Sequence, residues 1–108
     1  MSAKTAPFAI VYAEEVKQHL RGIDPKHHSF IRSQTEEQLL YQPTVETKNR
    51  KPLQRAMASG AEWELRLGPR NRFRVFYQVD VDRHEVKVFA IGVKERNRLT
   101  IGGEEVGK

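Results

Sequence analysis

Lysine and arginine side chains are concentrated in one third of this sequence. Residues 44 to 74 carry eight basic groups against three acidic ones, while the remaining residues carry eleven of each sign, so this segment holds the whole formal excess of +5. Each Lys or Arg that pairs with a phosphate releases a counterion from a nucleic acid. A solvated basic surface is the alternative, but basic residues spread over a loop and two strands favour a nucleic acid as partner.

These cations form two groups with different settings. The first lies in a stretch that contains Pro43, Pro52 and few apolar residues and is therefore expected to be an exposed loop. Its members are Lys48, Arg50 and Lys51. The second group stands on two predicted strands, and its members are Arg66, Arg72 and Arg74. Arginine suits phosphate because its planar fork holds two oxygens and keeps its charge, so we expect a phosphate-binding surface.

Two alternating segments position the second group. Residues 63 to 67 alternate between apolar and charged side chains, and residues 72 to 81 repeat the pattern after a Gly-Pro turn. Successive side chains of a strand point to opposite faces, so each segment predicts a strand with one buried face and one polar face. A hairpin near His84 then leads into a last strand, from Glu85 to about Lys94, that is apolar on both sides.

The N-terminal part supplies the elements that cover this sheet. Phe8 to Tyr12 predicts a buried strand, Ala13 to Arg21 a short helix, and Asp24 to Leu40 a second helix opened by a capping Asp and a Pro. The resulting order βααβββ predicts an α+β fold, with both helices packed on one face of a mainly antiparallel four-stranded sheet. The other face is expected to be uncovered and to present Glu64 with the arginines of the strands.

Length and composition limit the remaining possibilities. The 108 residues fit a single domain over 1–108, with a short mobile tail at about 102–108. The apolar runs are too short for a membrane span, and residues 1 to 7 lack the pattern of a secretory signal. Because the sequence has no cysteine, a cytoplasmic location is expected.

Four motifs in this order resemble the RelE/ParE superfamily of bacterial toxins, over about residues 8 to 101. They are Lys51-Pro52-Leu53, Trp63 to Leu67, Arg74-Val75-Phe76-Tyr77 and Ala90 to Arg96. The resemblance implies the toxin half of a type II toxin–antitoxin module, bound in a hetero-oligomer by a cognate antitoxin that covers the basic groove. One branch of that superfamily cleaves messenger RNA on the ribosome without a metal, and another inhibits DNA gyrase; neither a cofactor nor a metal is implied.

The resemblance also implies roles for particular residues. Arg74 takes the position of the arginine that stabilises the phosphate during attack of the 2′-hydroxyl, and Arg66 would be the second cation. Lys94 and Arg96 fall where the family keeps catalytic or RNA-binding cations. The remaining basic residues expected to hold the substrate backbone or ribosomal RNA are Lys48, Arg50, Lys51 and Arg72.

Three points stay open at this level. Glu64 occupies a position where some members carry lysine, and it could act as a base or as the ion-pair partner of Arg66. Phe76, on the face expected to be open, could stack on an RNA base or contact the antitoxin. The family's C-terminal tyrosine is absent from residues 97 to 101, which leaves a gyrase inhibitor or an inactive nucleic-acid-binding relative as alternatives to a ribonuclease.

Overall fold

The structure, a computed structural model, describes residues 6 to 106 and contains two α-helices and seven strands within them. Residues 1–5 and 107–108, at the predicted start and tail, lie outside the described residues. Short 3-10 turns at Pro25–His27 and Pro69–Asn71 precede the second helix and the fourth strand. In chain order the elements are β1 (Ala9–Tyr12), α1 (Val16–Arg21), α2 (His28–Leu39), β2 (Arg50–Pro52), β3 (Trp63–Leu67), β4 (Phe73–Asp80), β5 (Glu85–Glu95), β6 (Arg98–Ile101) and β7 (Glu104–Val106).

All the strands belong to one sheet in which β5 is central. The strands from β2 to β7 are neighbours in chain order and are antiparallel. One edge of β5 pairs with β4, whereas the other edge is divided between β1, which runs parallel to it, and β6. The apolar residues on both sides of β5 fit this central position, because the main core covers one of its faces and a smaller cluster covers part of the other.

The sequence prediction of an α+β fold with two helices and a mainly antiparallel sheet is confirmed, but the count of four strands is wrong. β2 was missed because its three residues, Arg50 to Pro52, include no apolar residue that could show alternation. The segment predicted as a tail contains β7, joined to β6 through Gly102 and Gly103, which both have positive φ. Glycines suit such a hairpin turn, and charged strands at a sheet edge resemble a tail in composition.

The main core lies between the helices and one face of the sheet. Val16 of α1 and Ile31 and Leu39 of α2 belong to the same buried cluster as Val75 and Val88 of the sheet. The predicted packing of both helices on one face is therefore confirmed. None of the helices within residues 6 to 106 is long and apolar enough to cross a membrane.

Two histidines join α1 to its surroundings. The Nε2 atom of His28 lies 2.8 Å from the carbonyl oxygens of both Leu20, in the last turn of α1, and Ile23, just beyond the end of that helix. The backbone N–H of Ile91 donates to Nδ1 of His19 at 3.3 Å, so α1 is tied directly to β5. Partial burial lowers the pKa of His19, although the nearby Glu15 acts in the opposite direction.

The second face of the sheet is partly covered, which the sequence did not indicate. A β-bulge at Phe89, an extra residue of β5 between the pairs Phe76–Ala90 and Tyr77–Val88, changes the register there. Phe76 and Ala90 form a small second core with Ala61. Partly buried side chains from the irregular segment after β2 and from β5 and β6 pack against it, namely Leu53, Met57, Phe89, Leu99 and Ile101. This second core therefore covers the middle of the face and separates the end that carries Arg66 and Arg74 from the end that carries Gln78 and Lys87.

Candidate nucleic-acid groove

An open groove lies at one end of the sheet, where β4 begins, β5 ends and β6 begins. Its walls are the 3-10 turn before β4 and the hairpin between β5 and β6. One acidic residue, Glu95, is part of the lining. Six basic residues line it, namely Arg70, Arg72, Arg74, Lys94, Arg96 and Arg98. Six cations against one carboxylate leave a local charge of +5, so the groove is suited to a polyanion.

Arg74 is the most buried cation of the groove, with 8% of its surface exposed. Its Nη1 atom donates to Glu64 Oε2 at 2.7 Å, and its Nε atom donates to the carbonyl oxygen of Asn71 at 2.9 Å. Two bonds from different directions fix the guanidinium plane of Arg74. Its other N–H groups take part in neither of these two bonds. The structure therefore holds Arg74 in a single orientation at the inner end of the groove.

Glu64 lies between two arginines. Arg66 pairs directly with Arg74 across β3 and β4, and its Nε atom donates to Glu64 Oε1 at 3.2 Å. Each carboxylate oxygen of Glu64 therefore accepts a bond from a different guanidinium group. The ion pair with Arg66 that the sequence left as an alternative is present, and the shorter pair with Arg74 is an addition. The three side chains placed on one face by alternation form one charged cluster.

The turn before β4 sets the position of Arg74. Arg70 and Asn71 have φ angles of 58° and 53°, in the left-handed region. Asparagine tolerates this region better than most residues, whereas arginine enters it at a cost. The left-handed pair reverses the chain directly before β4, and the carbonyl group of Asn71 then accepts the bond from Arg74.

Arg72 connects the two walls of the groove. Its Nη2 atom lies 3.2 Å from Glu95 Oε2, and its guanidinium carbon is 5.3 Å from the centre of the Phe73 ring. The backbone N–H of Lys94 donates to the Arg72 carbonyl oxygen at 2.7 Å. Within residues 6–106, the Nε atom of Arg72 is buried and has no hydrogen-bond partner. The predicted residues Arg72, Lys94 and Arg96 thus all lie in the groove with Arg74.

Two arginines of the groove, Arg70 and Arg98, were not among the residues predicted from the sequence. Arg70 is exposed in the turn before β4, and Arg98 is exposed at the start of β6. A signal was available, because Arg70 and Arg98 each belong to an Arg-Asn-Arg tripeptide. The second tripeptide forms the hairpin after β5, where Arg96 and Asn97 have φ angles of 52° and 68°.

Arg50 is a structural residue in this fold, which contradicts the expectation that it contacts RNA. Only 7% of its surface is exposed. Its Nε atom donates to the Val45 carbonyl oxygen at 2.9 Å, and Nη1 donates to the backbone and side-chain oxygens of Gln38 at 2.8 and 3.0 Å. Its charge therefore stabilises the C-terminal end of α2 and anchors the following loop. The Tyr77 hydroxyl anchors the same loop by donating to the Pro43 carbonyl oxygen at 2.7 Å.

The other predicted RNA-binding residues differ in their availability. Phe76 is 3% exposed in the second core, so the expectation of an open ring on this face is wrong. The segment that covers Phe76 has no periodic pattern from which its path could be predicted. Lys48 is exposed in the loop before β2, outside the groove lining. Lys51 pairs in register with Glu64, while its Nζ atom lies 3.5 Å from Glu46 Oε2.

Comparison with known proteins supports the fold. The chain is similar to a chain of the crystal structure of the toxin–antitoxin complex RelBE2 from Mycobacterium tuberculosis, with a TM-score of 0.67 and 17% sequence identity. The match covers 86% of this chain and 98% of the other. The chain thus shares the fold of that chain, which supports the fold that the sequence resemblance implied. No family model matches the sequence, and no curated protein matches it.

Proposed function

We propose that this protein is the toxin of a type II toxin–antitoxin module and inhibits translation by cleaving messenger RNA on the ribosome. The observation that best supports this proposal is the position of Arg74, which Glu64 and Asn71 fix at the inner end of a groove with six basic side chains. The RelE-like fold supports the toxin assignment. In this proposal the groove binds the backbone of single-stranded RNA in the cytoplasm.

The proposed reaction is attack of a ribose 2′-hydroxyl on the adjacent phosphate, which needs no metal in this scheme. Arg74 and Arg66 stabilise the additional negative charge on the five-coordinate phosphate. Without substrate, Glu64 is bonded to the guanidinium groups of both arginines. Once the substrate phosphate has replaced Glu64 as the anion bound by these two groups, Glu64 accepts the proton of the 2′-hydroxyl. Lys94 and Arg96 hold the neighbouring phosphates, and a ribosomal group or water protonates the leaving 5′-oxygen.

Replacement of Arg74 tests this proposal. Arg74→Ala is expected to abolish growth arrest and RNA cleavage after induction in cells, whereas Arg83→Ala, at an exposed turn outside the groove, should act like wild type. Primer extension on cellular transcripts measures cleavage. Glu64→Gln keeps the size and a bond acceptor but loses the base, so cleavage should fall by about 10² to 10⁴. Wild-type cleavage by Arg74→Ala would refute the mechanism.

A non-nuclease toxin that inhibits DNA gyrase is the second candidate. It is favoured by the lining of the groove, which contains no tyrosine or histidine within residues 6 to 106. These are the side chains that the RelE-like nucleases place near the C-terminus. A supercoiling assay with purified gyrase distinguishes the candidates, because a ribosome-directed ribonuclease leaves supercoiling unchanged. An inactive nucleic-acid-binding relative would arrest growth by neither route.

We also propose a cognate antitoxin as partner, because the similar structure is a toxin–antitoxin complex. An antitoxin suited to this chain carries acidic residues that occupy the groove in place of RNA. Co-expression with the product of the adjacent reading frame should restore growth and yield a hetero-oligomer on size-exclusion chromatography. A separate monomer in that experiment would contradict the pairing.

A further inference from the structure

Two copies of the tripeptide Arg-Asn-Arg, at residues 70–72 and 96–98, face each other across the groove. In both copies the first two residues are left-handed, with φ angles between 52° and 68°. The copies lie far apart in the sequence, and the sheet brings them together because β4 starts where β5 ends. The same unusual backbone and the same side chains therefore form both walls of one basic groove.

The first arginine of each tripeptide is not explained by stability. Left-handed φ favours glycine, asparagine or aspartate, and a long side chain there carries a conformational cost. Both Arg70 and Arg96 are exposed, and within residues 6 to 106 neither makes an ion pair or a side-chain hydrogen bond. A costly conformation without a structural contact points to a role in binding.

The two walls are fixed relative to each other. The ion pair between Arg72 and Glu95 and the bond from the Lys94 N–H to the Arg72 carbonyl oxygen both cross from one wall to the other. Binding a flexible polyanion thus requires little rearrangement of the backbone that carries Arg70 and Arg96. Preorganisation of this kind reduces the entropic cost of binding.

We propose that the paired Arg-Asn-Arg turns form a clamp for the phosphate backbone of single-stranded RNA, in which Arg70 and Arg96 contact successive phosphates from opposite walls. The clamp rests on the RNA-binding part of the proposed function and does not depend on cleavage. Asparagine at the second position makes the turn, and the arginines on either side supply the charge. Arg70 is thereby assigned as a substrate-binding residue together with Arg96.

The experiment compares the double variant Arg70→Asn/Arg96→Asn with Arg55→Asn/Arg83→Asn, which removes two exposed arginines that are outside the groove and not left-handed. The probe is a labelled single-stranded 12-nucleotide RNA with 2′-O-methyl groups, which cannot be cleaved by 2′-hydroxyl attack. Fluorescence anisotropy from 50 to 300 mM KCl gives the affinity and its salt dependence. Thermal unfolding of the same full-length proteins gives Tm.

The magnitudes follow from counterion release. Each phosphate contact on single-stranded RNA contributes about 0.7 to the slope of log affinity against log salt, so two lost contacts lower the slope by about 1.4. Relative to the 1 M reference state, a slope that is smaller by about 1.4 makes binding by the groove variant at 0.1 M salt about 25-fold weaker than binding by wild type. Asparagine is tolerated at left-handed φ, so the Tm of the groove variant should rise by about 4 °C. The control pair should change affinity by less than about twofold.

Each outcome decides the proposal. Weaker binding with a lower slope and an unchanged or higher Tm supports the clamp. An affinity or slope equal to wild type overturns it, as does a lower Tm, which would make the two arginines structural. Absence of binding by the wild-type protein also overturns it. If the clamp holds but Arg74→Ala still cleaves RNA, the proposed catalytic mechanism fails while the clamp stands.

Discussion

Replacement of Arg50 by methionine separates a structural arginine from the RNA-binding ones. Methionine keeps most of the side-chain volume but removes the three hydrogen bonds that the guanidinium donates to Val45 and Gln38. Their acceptors, two carbonyl groups and one side-chain amide, then lose their partner near the end of α2. At 7% exposure, water does not readily replace the lost donor.

The expected loss of stability can be worked from these contacts. We assign about 1 kcal/mol to each bond, below the range of about 1.5 to 3 kcal/mol for charged groups, because methionine also removes the cost of burying a charge. The total is about 3 kcal/mol. Unfolding entropy of about 2.1 cal/mol/K per residue gives about 0.23 kcal/mol/K for 108 residues, so Tm should fall by about 13 °C.

The assay is urea unfolding and thermal unfolding, followed by RNA binding at a temperature where the variant is folded. Lys48→Met is the matched control, because it removes the same charge from an exposed position two residues earlier, in the loop before β2. We expect the Arg50 variant to be destabilised with near wild-type affinity for RNA, and the control to keep its stability. An Arg50 variant with wild-type stability and weak RNA binding would refute the structural assignment.

Two further predictions concern the contacts around β5. Burial lowers the pKa of His19 in the folded protein below its value of about 6.5 in the unfolded chain. Between these two pKa values the unfolded state binds more protons than the folded state. Stability is therefore lost as pH falls from about 6.5 through the folded pKa. Tm measured between pH 8 and 5 should fall less in His19→Gln than in wild type, and an equal fall would contradict this origin. A Cβ on Gly92 would lie 2.7 Å from the Thr100 carbonyl oxygen. Gly92→Ala should therefore displace β6, lowering Tm and RNA affinity together; an unchanged Tm in thermal unfolding would show that β6 accommodates the methyl group.

The part of the fold that was predictable has strong local patterns. Alternation in residues 63–67 and 72–81 located β3 and β4 and placed Arg66 and Arg74 on one face. β2, β6 and β7 have three or four residues each and depend on pairing with distant neighbours. Their own sequences contain too few apolar positions to reveal a period, so tertiary pairing decides them.

In the groove too, local sequence pattern predicts some features, while others depend on the path of the chain. Alternation gives the face of a residue but not what covers that face, and Phe76 is buried because the segment around Met57 crosses it. Similarly, the charge of Arg50 predicts affinity for anions, yet the loop returns it to the end of α2. Arg70 was not predicted as a binding residue because the sequence does not show that its turn lies opposite residues 96–98 in the groove.

The pairing of β1 with β5 has a consequence for the order in which the protein can fold during synthesis. Ala9 pairs with Glu85, so the first strand and both helices are made well before the strand that completes their core. Until β5 has been translated, Val16 and Ile31 lack their partners Val88 and Ile91, and loop closure over this distance is slow. The basic groove needs β6 as well, and it is therefore assembled after most of the chain has been synthesised.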